Sequence, residues 1–248
     1  MSDLAATDEL FFTRAGLDQG RVEAIVTESL HGADDGELFL EYRQSESLVF
    51  DDGRLKSASF DTSQGFGLRA IAGESTGYAH ASELSEDAIR RAGDTVKAVQ
   101  AGHGGTFAAP PGGTNQSFYV DDNPLNLVDF ASKVKLLTDM DAYVRNTDER
   151  VRQVSVSLSG QWQAVQVLRP DGVRVADIRP LVRLDVSVVV GKGERMETGS
   201  HGIGARVTYE RYLEPETWRP AVDEALRMLA EGNWRFTTED NQGSRGGR

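Results

Sequence analysis

Alternating runs closed by tight turns leave this chain little topological freedom. Asp51-Asp52-Gly53, Gly73-Glu74, Pro170-Asp171-Gly172 and Gly191-Lys192-Gly193 each interrupt or end a run in which apolar and polar residues alternate. Glycine supplies φ > 0 at such points and proline presets φ, so these are turns with a mechanism. Strands joined so closely pair antiparallel, because a parallel pair needs a long crossover. Leu38, Leu40 and Tyr42 alternate with Phe39, Glu41 and Arg43, and the run continues to Phe50. Further strands are predicted over about 54–62, 65–72 and 75–82.

Helices flank this meander. Asp18 caps a helix over about 19–31 that carries Val22, Ile25, Val26 and Leu30 on one face. Ser85 caps another, with Glu86 and Asp87 in its first turn and a stripe of Ile89, Ala92, Val96 and Val99. Residues 101–125 are dense in Gly and Pro and read as a linker or long surface loop. A second unit follows. Leu127, Phe130, Val134, Leu137, Met140 and Val144 have helical spacing. Val154, Val156, Leu158 and Trp162 alternate as a long strand, and the shift of apolar parity to Val165 and Val167 predicts a bulge near Ala164. A strand from Val173, with an interruption at Pro180, ends in Leu184, Val186, Val188 and Val190, and another follows Gly193. Pro215 opens a last helix with Trp218, Val222, Leu226 and Leu229 inward and Gly232 as its stop.

The fold class read from this order is α+β: two helix–antiparallel meander–helix units, with helices packed on one face of each sheet. The expected divisions are a first domain over 1–105, a linker over 106–125, a second domain over 126–233 and a polar tail over 234–248. The tail has no aliphatic or aromatic residue from Thr237 onward and is expected to be disordered.

Composition removes several function classes. A net charge of −12 opposes binding to a phosphate backbone, so no nucleic-acid partner is expected. The absence of cysteine excludes a thiol nucleophile, a thiolate metal site and a disulfide framework. The acidic N-terminus lacks the pattern of a signal peptide, and no apolar run is long enough to span a bilayer. A cytoplasmic setting is therefore expected, with no membrane partner.

Candidate chemistry is sparse. None of His31, His80, His103 and His201 has a second histidine within five positions, so no local zinc motif exists. His103 and His201 lie in Gly-rich segments that suit turns, and His80 lies on a strand beside Tyr78. A G-Φ-G-x-R pattern occurs twice, as Gly65-Phe66-Gly67-Leu68-Arg69 and Gly202-Ile203-Gly204-Ala205-Arg206. Neither copy leads into a helix, as a dinucleotide or phosphate loop requires. Gly65, Gly67, Gly73, Gly77, Gly202 and Gly204 are read as structural, marking bulges or close backbone approaches. Arg69, Arg206 and Tyr78 are the candidates for contact with a substrate or a partner. For the two arginines the competing reading is a structural ion pair. The paired acids fall at predicted turns or in the tail, and no G-x-S-x-G elbow is present.

Leu38-Phe39-Leu40-Glu41-Tyr42-Arg43, Gln64-Gly65-Phe66-Gly67-Leu68-Arg69-Ala70 and Gly73-Glu74-Ser75-Thr76-Gly77-Tyr78-Ala79 resemble the N-terminal domain of the TldD/PmbA family. Leu136-Leu137 and Tyr209-Glu210 resemble its middle region. The resemblance covers roughly residues 8–232 and favours the TldD branch. It implies a zinc metallopeptidase acting on small or unfolded peptides, with a TldD-type subunit paired to a PmbA/TldE-type one. The family is also labelled a modulator of DNA gyrase. Its zinc motif, H-E-x-x-x-H, has no match in these 248 residues. The expectation is therefore a shortened family member that holds no zinc itself, has no catalytic residue to carry over, and does not hydrolyse peptides alone. The second expectation is a binding module, taking an extended peptide, a PmbA-like subunit or a second copy of itself.

Overall fold

The computed structural model describes residues 3–109 and 120–231. The expected tail, and Pro110 to Gly113 of the expected linker, lie outside the described residues. Six strands form one antiparallel sheet: β1 (Asp35–Asp51), β2 (Arg54–Ala72), β3 (Ser75–Ala81), β4 (Val151–Leu168), β5 (Arg174–Lys192) and β6 (Arg195–Ala205). Among the described residues their order is β3-β2-β1-β4-β5-β6, with β3 and β6 at the edges. The helices are α1 (Asp3–Asp8, continued by Glu9–Thr13), α2 (Gln19–Ser29), α3 (Glu86–Val96), α4 (Pro124–Leu127), α5 (Phe130–Thr147), α6 (Glu210–Leu213) and α7 (Pro215–Glu231).

The turn residues set the pairing. Asp52 and Gly53 both have positive φ, 52° and 77°, as a two-residue turn that matches strand twist requires. Gly73 and Gly193 open the other two-residue turns at φ 59° and 62°. Gly172, at φ 78°, donates its N–H back to the Arg169 carbonyl at 3.1 Å and closes the fourth.

α+β is the observed class, but the two expected sheets are one. β1 and β4 pair along their length at its centre, from Leu38↔Leu168 to Asp51↔Ser155. Even-numbered residues of β1, β4 and β5 point to the helices, which fall into two groups. α1, α2 and α3 cover Leu38, Leu40, Phe66, Leu68 and Leu168. α5 and α7 cover Leu48, Phe50, Val156, Leu158, Val186 and Val188. Each central strand thus feeds both cores, one at each end.

Several local expectations need correction. The strands expected at 54–62 and 65–72 are one strand, because Ser63 and Gln64 continue the ladder opposite Arg43 and Tyr42. No bulge lies at Ala164, since both ladders of β4 run unbroken there; apolar residues simply occupy both faces. Pro180 does not interrupt β5. It lies where β4 is the one strand beside β5, because β6 pairs from Val182 onward, and such an edge tolerates proline. Leu127 and Phe130 are exposed rather than inward, because Asp129 caps α5 and accepts from the Ser132 N–H at 2.9 Å. The sheet-facing stripe begins after them, with Lys133, Leu137, Met140 and Val144.

Candidate functional site

Among the described residues one face of the sheet is not covered by helices, and that face is the natural place for a site. The odd-numbered residues of β1, β4 and β5, and those of β2 from Ser57 onward, point there. Their cross-strand rows can be read from the ladders: Ser59, Ser47, Ser159, Arg183 and Gly204 form one, and Ser57, Val49, Ser157, Asp185 and Gly202 the next. The floor is therefore built of small and polar side chains. Three clefts lie along it. One of about 340 Å³ sits between β1, β2 and β3, one of about 270 Å³ at the centre, and one of about 410 Å³ between β4, β5 and β6.

The two G-Φ-G-x-R copies do not occupy equivalent places. The first lies inside β2, and the second ends β6 and the bend after it. Neither Gly65, Gly67, Gly202 nor Gly204 has positive φ, and the ladders are unbroken beside them. They serve close approach. A Cβ on Gly67 would lie 2.6 Å from the Tyr78 hydroxyl, and one on Gly65 would lie 2.6 Å from the Ala81 carbonyl oxygen. Gly202 makes room for the carboxylate of Asp185, to which Arg183 donates from Nε and Nη2 at 2.6–3.0 Å. Gly77 lets Val96 and Val99 pack on β3.

Arg69 is held by Glu37, donating at 2.7 and 2.8 Å, with Asp35 at 3.9 Å. Those hydrogen bonds raise its already high pKa. Tyr78 is 61% exposed and stacks on His80, with ring centroids 5.6 Å apart. Arg206 is exposed just beyond β6. The structure brings Tyr78 and the glycines of β2 together in one cleft and leaves Arg206 at the far side of the sheet. Sequence reasoning passed over Glu41 and Arg43, which line the same cleft. Period-2 alternation from Phe39 was the available signal.

His103 reaches the other end of the sheet. Its Nε2 lies 2.7 Å from Asp34 Oδ2, and the Gly73 N–H donates to the same oxygen at 2.7 Å. The Gly73 bond, followed by the one from His103, holds the Asp34 carboxyl below its ordinary range.

The donor set does not suit a zinc ion. His80 and His201 lie on β3 and β6, opposite edges of the sheet separated by five strand steps, about 24 Å measured along it. His103 is tied to Asp34, and His31 is at the end of α2. Among the described residues no group of three or more His, Asp or Glu side chains could hold a metal. No helix among them is long and apolar enough to cross a membrane.

Among the described residues, the helices pack on one face of an antiparallel sheet, and rows of serine and other small polar residues line the other. The sequence matches two models of one family: PmbA/TldA metallopeptidase domain 1 over residues 36–99 and the central domain over 123–230. The chain belongs to the PmbA/TldD metallopeptidase family. A metalloprotease TldD homolog of Haemophilus influenzae is 35% identical over 184 residues, covering 73% of this chain and 38% of that protein. One from Buchnera aphidicola (subspecies Schizaphis graminum) is 34% identical over 74% of this chain, again covering 38% of the relative. The chain thus spans less than half the length of these relatives. Two solved structures share the fold. A Bacteroides thetaiotaomicron protein described as a modulator of DNA gyrase superposes with a TM-score of 0.65 at 15% identity, over 84% of this chain and 49% of its own. TldE from Thermococcus kodakarensis superposes at 0.60 and 13% identity, over 85% and 47%.

Proposed function

We propose that this chain forms the substrate-holding part of a TldD-type zinc peptidase that acts on small or unfolded peptides. The observation that carries this reading is the uncovered sheet face of a chain from a metallopeptidase family. Serine hydroxyls donate and accept, so rows such as Ser59, Ser47 and Ser159 can bond a peptide backbone without selecting its side chains. An unfolded segment is extended and presents its backbone to such a floor; a folded one does not. Residues of this chain bind and orient the peptide, and none is assigned a bond-breaking role. The zinc ligands would come from outside these residues, since the histidines here do not converge. A cytoplasmic setting, a peptide substrate and a PmbA/TldE-type partner or second copy complete the reading.

A strand edge supports the binding-module alternative. Among the described residues, 54–65 of β2 pair with β1 alone, because the β3 ladder reaches only to Phe66. An extended peptide can add there as a further strand. Purified 248-residue chain mixed with labelled unfolded peptides should bind them and leave them intact, with or without zinc. Cleavage that zinc supports and a chelator abolishes would refute the assignment of the chemistry to other residues. Size measurement after mixing with a PmbA/TldE-type subunit tests the partnership, and absence of a complex counts against it.

A further inference from the structure

The cleft between β1, β2 and β3 has an arrangement that a general backbone floor does not need. Its base includes Gly65 and Gly67, whose missing side chains let Tyr78 fold over β2 at Gly67 and the Ala81 carbonyl approach at Gly65. One wall is the stacked pair Tyr78 and His80, whose rings are inclined by 22°. The other wall is Phe39, Glu41 and Arg43 on β1. Phe39 continues sideways into Val167 and Val175 along one cross-strand row, so the cleft adjoins an apolar strip.

Arg43 is exposed, and among the described residues it has no ion-pair or hydrogen-bond partner. That separates it from other cations on this face. Arg183 is closed on Asp185 by bonds of 2.6–3.0 Å, and Arg179 donates to Asp177 at 2.5 Å. Glu41 already accepts from Gln163 Nε2 at 3.1 Å and keeps acceptor capacity toward the cleft. A free guanidinium binds a planar anion in a two-pronged way. Beside it, stacked rings and Phe39 offer apolar faces, and Glu41 offers an acceptor for N–H.

We propose that this cleft is a subsite for a peptide residue bearing a carboxylate: Arg43 takes the carboxylate, and the Tyr78–His80 wall takes the neighbouring apolar side chain. The proposal rests on the peptide-holding reading and adds a preference to it. Glu41 beside Arg43, on a chain of net charge −12, disfavours a polyanion as the occupant. The carboxylate is either a peptide C-terminus or an Asp or Glu side chain.

The test uses the intact 248-residue chain and three labelled, unstructured peptides of one length, read by fluorescence anisotropy. One ends in a free-acid Phe, one is its C-terminal amide, and one is an amide with an internal Asp-Phe. The expected result is binding of at least one acid peptide about tenfold tighter than the neutral amide, the equivalent of about 1.4 kcal/mol. The R43Q variant should abolish that difference and leave the amide peptide unchanged, and R43K should restore part of it. Y78A should weaken Phe peptides regardless of their charge. The two acid peptides identify which carboxylate is taken. Equal binding of acid and amide peptides, unaltered by R43Q, overturns the subsite while leaving the peptide-holding reading intact. Failure of every peptide to bind overturns both. The Arg43 side chain is exposed and unpartnered among the described residues, so an unchanged melting curve should confirm that R43Q is folded.

Discussion

Glu46→Gln tests how the two cores are joined. Lys133 on α5 has a side chain only 3% exposed, and its counter-charge Glu46 on β1 is 14% exposed. The Lys133 ammonium donates to Glu46 Oε2 at 2.7 Å and to the Leu125 carbonyl at 3.0 Å, and lies 4.6 Å from the Tyr209 ring centroid. Its three donor directions are thus used. Glu46→Gln keeps the shape and removes the charge, leaving a buried cation without its counter-ion. Breaking a buried pair in this way costs about 3–5 kcal/mol, and at about 2–4 °C per kcal/mol for a chain of this size the melting point should fall by roughly 6–20 °C. Lys133→Met should cost less, about 1–2 kcal/mol, because Glu46 is nearer solvent and one backbone carbonyl loses its donor. The double variant E46Q/K133M removes both charges and should lie within about 2 kcal/mol of wild type. Urea unfolding of all four proteins closes the cycle, and the pair should couple by more than about 2 kcal/mol. A Glu46→Gln cost below about 1 kcal/mol, the range of an exposed surface bridge, would refute the argument that burial makes this pair essential.

Gly199→Ala should lower stability by about 1–3 kcal/mol, because its Cβ would overlap the Ala225 carbonyl and the Leu229 side chain and push α7 from β6; chemical unfolding checks it, and a neutral result shows that α7 can shift freely. Asp34 has a folded pKa held below its unfolded value by the Gly73 N–H and His103, so its contribution is present above the unfolded pKa, about 3.9, and is lost as pH falls through the folded one. Asp34→Asn should therefore flatten the fall of the unfolding midpoint below about pH 4, and an acid limb identical to wild type would count against the clasp. Fragments 1–109 and 120–248 expressed apart should each aggregate, since the first would uncover Leu48 and Phe50 and the second Leu168; a monomeric, cooperatively folding fragment in gel filtration and melting would show the shared strands to be dispensable.

Much of the fold was legible because its signals are local. Asp52-Gly53 and the glycines at 73, 172 and 193 do in the structure what their chemistry demands, and Asp18 and Ser85 cap the helices expected of them. The single sheet was not legible, because the pairing of β1 with β4 joins residues more than a hundred positions apart and no turn specifies it. The open face was hidden by one residue. Val49 pairs with Ser57 but Phe50 with Leu55, so Lys56 is an extra residue in β2. Counting outward from the turn without that bulge would set Arg43 opposite Thr62 and turn Gly65 and Gly67 toward the helices. With it, Arg43 lies opposite Ser63, and both glycines join the cleft. The two G-Φ-G-x-R copies likewise serve different places: one lines a cleft in β2, and the other accommodates an Arg183–Asp185 pair from the end of β6.

Long strands explain why one chain can hold two cores and still present an uninterrupted floor. β1 gives Leu38 and Leu40 to the first core and Leu48 and Phe50 to the second, with Gln44 and Glu46 between them on the same face. Those two polar residues are not left bare: Asn123 donates to Gln44 at 2.6 Å, and Lys133 binds Glu46. The middle of the strand is thus tied to the start of the second helical group by polar contacts, whereas its ends are held by apolar burial. The opposite face of the same segment carries Arg43, Ser45 and Ser47, which need no core partner. In this middle stretch of β1 the packing demands fall on alternate residues, so its open-face side chains are free to vary with the ligand while the sheet beneath them stays fixed. A preference for a carboxylate at Arg43 is therefore a property that this scaffold can gain or lose without cost to its cores.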